Sequence, residues 1–326
     1  GVNGLLFEDK DDLNNAFSIQ YSFVNVGSFI GTTFIAILPI TGLVGIKTTF
    51  NTVFLLCAIF LFIDALWFAL NQKSLGDAGK KPFKHDQRKF IDNSKKKEES
   101  SKPLTKGDKK RILAIILVTV FSIVFWVVWY MAYMPAYFYF GWGEGSDFLN
   151  HANWYIGSWQ VPTSYFDSLN ALTCIVLGPV LAIVWAKLAK RPQGDMSMFK
   201  KTALGMILVG CSFVIMVLAD VIRGGGQAAL IWIVFVSLLM SIGEMVFSPL
   251  GNSFITMFAP AKVLGLLLGL WPIAVFFATT IYPALYAYLK TVPFQIGYGV
   301  VAGVVIILGV ILWAMSGKLD KLAEEQ

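Results

Sequence analysis

The chain has 326 residues, 56% hydrophobic, 15% aromatic and 14% charged, with a mean hydropathy of +0.68. Soluble domains carry about 25% charged and about 45–50% apolar residues, which excludes an ordinary soluble protein. The net charge is +6, but 14 of the 26 Lys and Arg lie between Lys73 and Arg111, so the basic balance belongs to one loop rather than to a nucleic-acid-binding face.

A helix crossing the hydrocarbon needs roughly 20 apolar residues. Eight stretches qualify: 17–39, 52–70, 112–133, 169–187, 203–219, 228–257, 263–287 and 296–315. The expected fold is therefore an all-α integral membrane bundle of about eight transmembrane helices. Two spans precede the charged stretch and six follow it. That division predicts an N-terminal pair in 1–71, a basic linker in 72–111 and a six-helix bundle in 112–326. The positive-inside rule orients the bundle. With the first residues cytoplasmic, 23 basic residues fall inside and only Lys47, Arg223 and Lys290 outside, so both ends are expected in the cytoplasm. The basic linker would face anionic lipid headgroups or solvent. The segment 135–160 has no Lys or Arg, and its Trp142, Trp154 and Trp159 read as interfacial aromatics.

Polar groups inside apolar spans mark candidate sites, because each one needs a partner or a function there. Tyr21 and Asn25 stand four apart on one helix face; Gly27 and Ser28 beside them suggest close helix packing. Asp64 lies within the second span. Phe125, Trp126, Trp129 and Tyr130 form an aromatic stripe in the third. Asp167 reads as an N-cap of the fourth span, and Asn170 follows inside it. Glu244 is the most informative. It sits near the middle of 228–257, flanked by Gly243, Pro249 and Gly251, a pattern that predicts a broken helix lining a cavity. Inserting a charge there costs about 2.5–3.5 kcal/mol. Protonating a glutamate of ordinary pKa at pH 7 costs roughly 3.7 kcal/mol. The two costs are close, so small changes in surroundings can switch its protonation. Trp271 follows Gly265 and Gly269, a pair spaced for close helix packing. Cys57, Cys174 and Cys211 lie inside spans and His85 and His151 stand alone, which argues against a metal site. No phosphate loop, dinucleotide fingerprint or nucleophile–base pair appears, so an enzyme is not expected.

These residues together resemble the proton-dependent oligopeptide transporters of the major facilitator superfamily. The resemblance runs from about Phe17 to the last span. Phe17, Ser18, Tyr21, Asn25, Gly27 and Ser28 resemble the family's fifth helix, and Phe125-Trp126 its seventh. Val161-Pro162, Ser168 to Asn170 and Gly178-Pro179 resemble the eighth. Gly243-Glu244, Ser248-Pro249, Gly251, Ala259-Pro260 and Gly269 to Trp271 resemble the tenth and eleventh.

The resemblance implies a major facilitator-type bundle in the plasma (inner) membrane that carries di- and tripeptides with protons. The driving force would be the proton gradient, with no other cofactor. It assigns Tyr21, Asn25, Asn170, Glu244 and Trp271 to the peptide cavity, with Glu244 at the peptide's amino terminus and a candidate for proton coupling. It also implies four absent N-terminal helices, which would carry the family's Glu-x-x-Glu-Arg motif and a carboxylate-binding lysine. The chain departs from the family at Tyr130-Met131, where Glu-Gln is common, and at Asp167 and Asn170-Ala171. A carrier of another small zwitterion or anion, and a non-transporting membrane scaffold, remain the alternatives.

Overall fold

The computed structural model describes residues 10–41, 49–76, 103–248 and 250–324. The stretch 77–102, most of the expected linker, lies outside the described residues. Helix α1 spans Lys10–Ile30 and continues as a π-helical turn, Gly31–Ile35. Helix α2 spans Phe50–Asn71. The remaining helices are α3 (Lys106–Met134), α4 (Tyr165–Ala189), α5 (Met198–Arg223), α6 (Leu230–Phe247), α7 (Leu250–Phe258), α8 (Leu264–Leu289) and α9 (Phe294–Glu324). Among the described residues, seven helices are long and apolar enough to cross a membrane: α2, α3, α4, α5, α6, α8 and α9. The expected first span is helical as α1, but Lys10, Asp11, Asp12 and a row of amides and hydroxyls leave it less apolar than the others.

Two of the differences from the sequence reading have a local physical cause. Helix α3 begins at Lys106, inside the expected linker, because Thr105 and Asp108 form a reciprocal capping box that starts the helix before the apolar run. The expected span 228–257 is two helices, α6 and α7, separated between Phe247 and Leu250. A proline at 249 cannot donate a backbone hydrogen bond and disfavours helical geometry at the residue before it, which is the physical reason to stop there.

Helix α5 is the central post, packed on α9 at one side and on α6 at the other. Small residues permit this. A Cβ added at Gly205 would stand 2.9 Å from the Gly243 carbonyl oxygen, and the converse holds at Gly243. A Cβ at Gly210 would meet Ile306 at 2.5 Å. Helix α3 packs on α8, α4 on α6, and α1 on α4. Phe125, Phe199, Phe213, Met206, Met240 and Leu312 fill the interior. At Gly27, Gly265 and Gly269, where close packing is expected, a Cβ would meet no atom of the described residues within 4 Å. Helix α2 has no buried residue.

At one end of the bundle the segment between α3 and α4 folds over the helices. Its strands β1 (Ala152–Asn153), β2 (Tyr155–Ile156) and β3 (Trp159–Gln160) are short; β1 pairs in parallel with β4 (Ala228–Ala229), and β2 pairs with β3. Two of its tryptophans turn inward rather than toward an interface. The Trp154 indole donates to the Phe140 carbonyl at 2.8 Å, and the Trp142 indole to the Val161 carbonyl at 2.8 Å. Trp159 alone of the three is exposed.

Candidate functional site

Glu244 lies one turn before the end of α6 and is 5% exposed. Its carboxylate is held from two helices that are distant in sequence. The Tyr21 hydroxyl of α1 donates to Oε1. The Asn170 amide of α4 donates to Oε2 at 3.0 Å and to the Ser241 hydroxyl at 3.0 Å. Cys174, one turn along α4, lies against the same carboxylate. Trp129, Tyr130 and Tyr133 of α3 stand within electrostatic reach of it. All of its hydrogen-bond donors are uncharged, and among the described residues no Lys, Arg or His pairs with it. The site is thus an anionic or acid group in a low-dielectric pocket, partnered only by neutral donors.

Of the residues singled out from sequence, the fold brings Tyr21, Asn170 and Glu244 into direct contact. Asn25 is buried, yet its amide turns back to the Tyr21 carbonyl at 3.0 Å instead of meeting Glu244. Trp271 is buried against Phe247, ring centroids 5.5 Å apart, and lies so close over Gly251 that an added Cβ would clash at 2.0 Å. It therefore flanks the far end of α6, one turn from Glu244. Asp64 is exposed on α2 and takes no part.

Asp167 is not a cap. Ser164 occupies that position in α4, and the Asp167 carboxylate instead accepts the Tyr137 hydroxyl from the π-helical turn Pro135–Tyr139 that continues α3. The aromatic stripe of α3 forms a wall: Trp129 packs on Tyr133 at 4.7 Å, and Tyr130 stacks on Tyr282 of α8 at 5.5 Å. Trp126 adds a buried indole N–H that meets no acceptor among the described residues. Ser241 and Cys174 were not foreseen as neighbours of Glu244. Ser241 does stand three residues before it on the same helix face, a spacing that could have flagged it.

A second polar cluster, also unforeseen, ties the loop end together. Asp220 accepts from Tyr139 at 2.6 Å, Arg223 at 2.7 Å and Gln295 at 3.1 Å. Beside it a cavity of about 170 Å³ is walled by Phe138, Tyr139, Tyr286 and Phe294. An Asp147–Lys290 ion pair of 3.4 Å is part of its lining, and none of the sequence-predicted residues lines it.

The architecture is that of a major facilitator-type membrane bundle, with a buried acid at the meeting point of α1, α4 and α6. Comparison with known proteins agrees. The family model "PTR2: POT family" matches residues 77–297, and the chain belongs to the POT family. A di-/tripeptide transporter of Lactococcus lactis subsp. cremoris is 27% identical over 225 residues, which cover 68% of this chain and 44% of that protein. Dipeptide and tripeptide permease B of Yersinia enterocolitica serotype O:8 is 30% identical over 175 residues, 53% of this chain and 34% of that protein. The chain thus spans less than half the length of the curated relatives it matches. Among solved structures, a POT family transporter in complex with 5-aminolevulinic acid superposes with a TM-score of 0.76 at 20% identity, over 98% of this chain and 72% of that one. A mutant peptide transporter POT in complex with alafosfalin gives 0.74 at 23% identity, over 99% and 71%.

Proposed function

We propose that this chain works within a proton-coupled symporter of di- and tripeptides, in which Glu244 receives the peptide's amino terminus and takes part in proton coupling. The observation that carries this is the setting of Glu244: buried, anchored by Tyr21 and Asn170, and without a cation of its own. A peptide ammonium would supply the missing positive charge, and a proton would supply it when no peptide is bound. The names of the relatives support a peptide substrate. Among the described residues no Lys or Arg pairs with Glu244, so the group that receives the peptide carboxylate would come from the rest of a longer protein. The excess of basic residues in alternate inter-span segments of the sequence supports cytoplasmic ends.

The test compares uptake of free and amino-acetylated dipeptide by proteoliposomes of the full-length protein, with and without an inward proton gradient. Glu244→Gln should sharply weaken uptake of the free peptide and affect the acetylated one much less. Equal losses on both substrates would assign Glu244 to coupling alone, and no loss on either would make it a structural residue.

A further inference from the structure

The described ion pairs join Asp108 to Arg111, Asp195 to Lys201, Asp220 to Arg223 and Asp147 to Lys290. Asp167 and Glu244 belong to none of them. Both sit within apolar helices, and each is held by a tyrosine hydroxyl from another helix, Tyr137 and Tyr21. A phenol donor positions a carboxylate without neutralising it, so each acid is free to hold or release a proton as its surroundings change.

The two acids are linked by one helix face. Asp167, Asn170 and Cys174 stand at spacings of three and four residues on α4, which places them in one row. About 4.5 Å of helix rise separates 167 from 170, and Asn170 bonds Glu244 directly. On the facing helix, Tyr133 is one turn from Tyr137 and lies within electrostatic reach of both Asp167 and Glu244. Asp167 is half-buried in the first turn of α4, at the loop end, whereas Glu244 is buried deeper. The titratable groups facing Asp167 are Tyr133 from α3 and Tyr137 from the π-helical turn Pro135–Tyr139 that continues it, while Cys174 and Glu244 lie further along the same row, on the other side of Asn170. Helix α1 brings Thr32 to Ser168 and Tyr21 to Glu244.

We propose that Asp167 is a second proton-carrying carboxylate of this transporter, standing between the loop end of the bundle and Glu244 and exchanging one proton with it. This rests on the symporter reading above. In the transfer the Asp167 acid loses a proton and becomes a carboxylate, while the Glu244 carboxylate gains that proton and becomes an acid. One proton is then shared by two sites, and their titrations are coupled.

The first test is infrared spectroscopy of the purified full-length protein titrated between pH 4 and 9. The wild type should show carboxylic-acid carbonyl bands that include those of Asp167 and Glu244. Asp167→Asn should remove one band and move the titration of the band that Glu244→Gln removes, and Tyr137→Phe should shift the Asp167 band. An unchanged spectrum in either variant overturns the proposal. The second test uses proteoliposomes. Asp167→Asn should cut gradient-driven dipeptide accumulation at least tenfold while cutting equal-pH counterflow less than threefold, and Asp167→Glu should restore accumulation. Equal losses in both assays, or none, overturn the proposal. Absence of dipeptide counterflow in the wild type would sink the peptide reading instead, and the infrared titration would still decide the relay.

Discussion

Arg223→Met is the sharpest perturbation of the bundle's loop end. Asp220 is buried, with 5% of its side chain exposed, and Arg223 shows 12%. The guanidinium donates to Asp220 Oδ1 at 2.7 Å, to the Tyr139 hydroxyl at 2.8 Å and to the Gly226 carbonyl at 3.1 Å. Removing it leaves a buried carboxylate with two neutral donors, Tyr139 and Gln295. Breaking a buried pair from one side costs about 3–5 kcal/mol. The two remaining donors put this case at the lower end, about 3 kcal/mol. At about 2–4 °C per kcal/mol for chains of this order of size, the melting temperature should fall by about 6–12 °C. Adding Asp220→Asn removes the stranded charge and leaves a loss of about 1 kcal/mol in net hydrogen bonding. The assay is thermal unfolding of the full-length protein in detergent, run on the single and the double variant. A double variant that melts as low as the single one, or lower, refutes the reasoning.

Three further outcomes are expected. Gly205→Ala should destabilise by about 1–3 kcal/mol, because its Cβ would press on the Gly243 carbonyl. Gly265→Ala, which meets open space, should be neutral or mildly stabilising, and equal melting temperatures for the two would contradict the packing. Thr105→Ala removes the capping box of α3 and costs about 1 kcal/mol, so amide exchange at residues 107–110 should quicken about fivefold; unchanged exchange would count against the cap. His151 is held below its usual pKa, first by burial and then by Arg223, with Asp220 opposing. The folded state therefore prefers the neutral ring, and stability should be lost as pH falls through the unfolded value of about 6.5 toward the lower folded one. His151→Asn should flatten that part of the melting curve against pH, and an unaltered slope would exclude the effect.

How much was legible in the sequence follows from what each feature depends on. Span existence depends on apolar length within one segment, and seven of the eight expected spans have a described helix long and apolar enough to cross a membrane. The break between α6 and α7 was flagged by Gly243, Pro249 and Gly251, yet hydropathy alone runs straight across it. Glycine spacing at Gly265 and Gly269 found no neighbour among the described residues, because close packing depends on what faces a glycine. Gly205 and Gly243 meet across two helices with no mutual pattern in sequence. In the site, Glu244 announced itself by the cost of burying an acid, and Tyr21 and Asn170 by polarity within apolar runs. The bond of Asp167 to Tyr137 and those of Asp220 to Tyr139 and Gln295 join residues 30, 81 and 75 positions apart. Only the folded arrangement brings such pairs together, so the sequence offered the simpler cap for Asp167.

The contrast between two helix contacts has a mechanical consequence. At the α5–α6 crossing the two backbones meet glycine against glycine, so closely that a Cβ added at either Gly205 or Gly243 would stand 2.9 Å from the other's carbonyl oxygen. That joint is a weld. The seam around α1 includes side-chain hydrogen bonds, Tyr21 to Glu244 and Thr32 to Ser168, and inside a bilayer such bonds average only about 0.6 kcal/mol each. Those bonds act as a latch of small teeth, released and re-engaged at a cost near thermal energy. Motion in this molecule is therefore expected to divide along α1, with α5 and α6 travelling as one piece and carrying Glu244 with them.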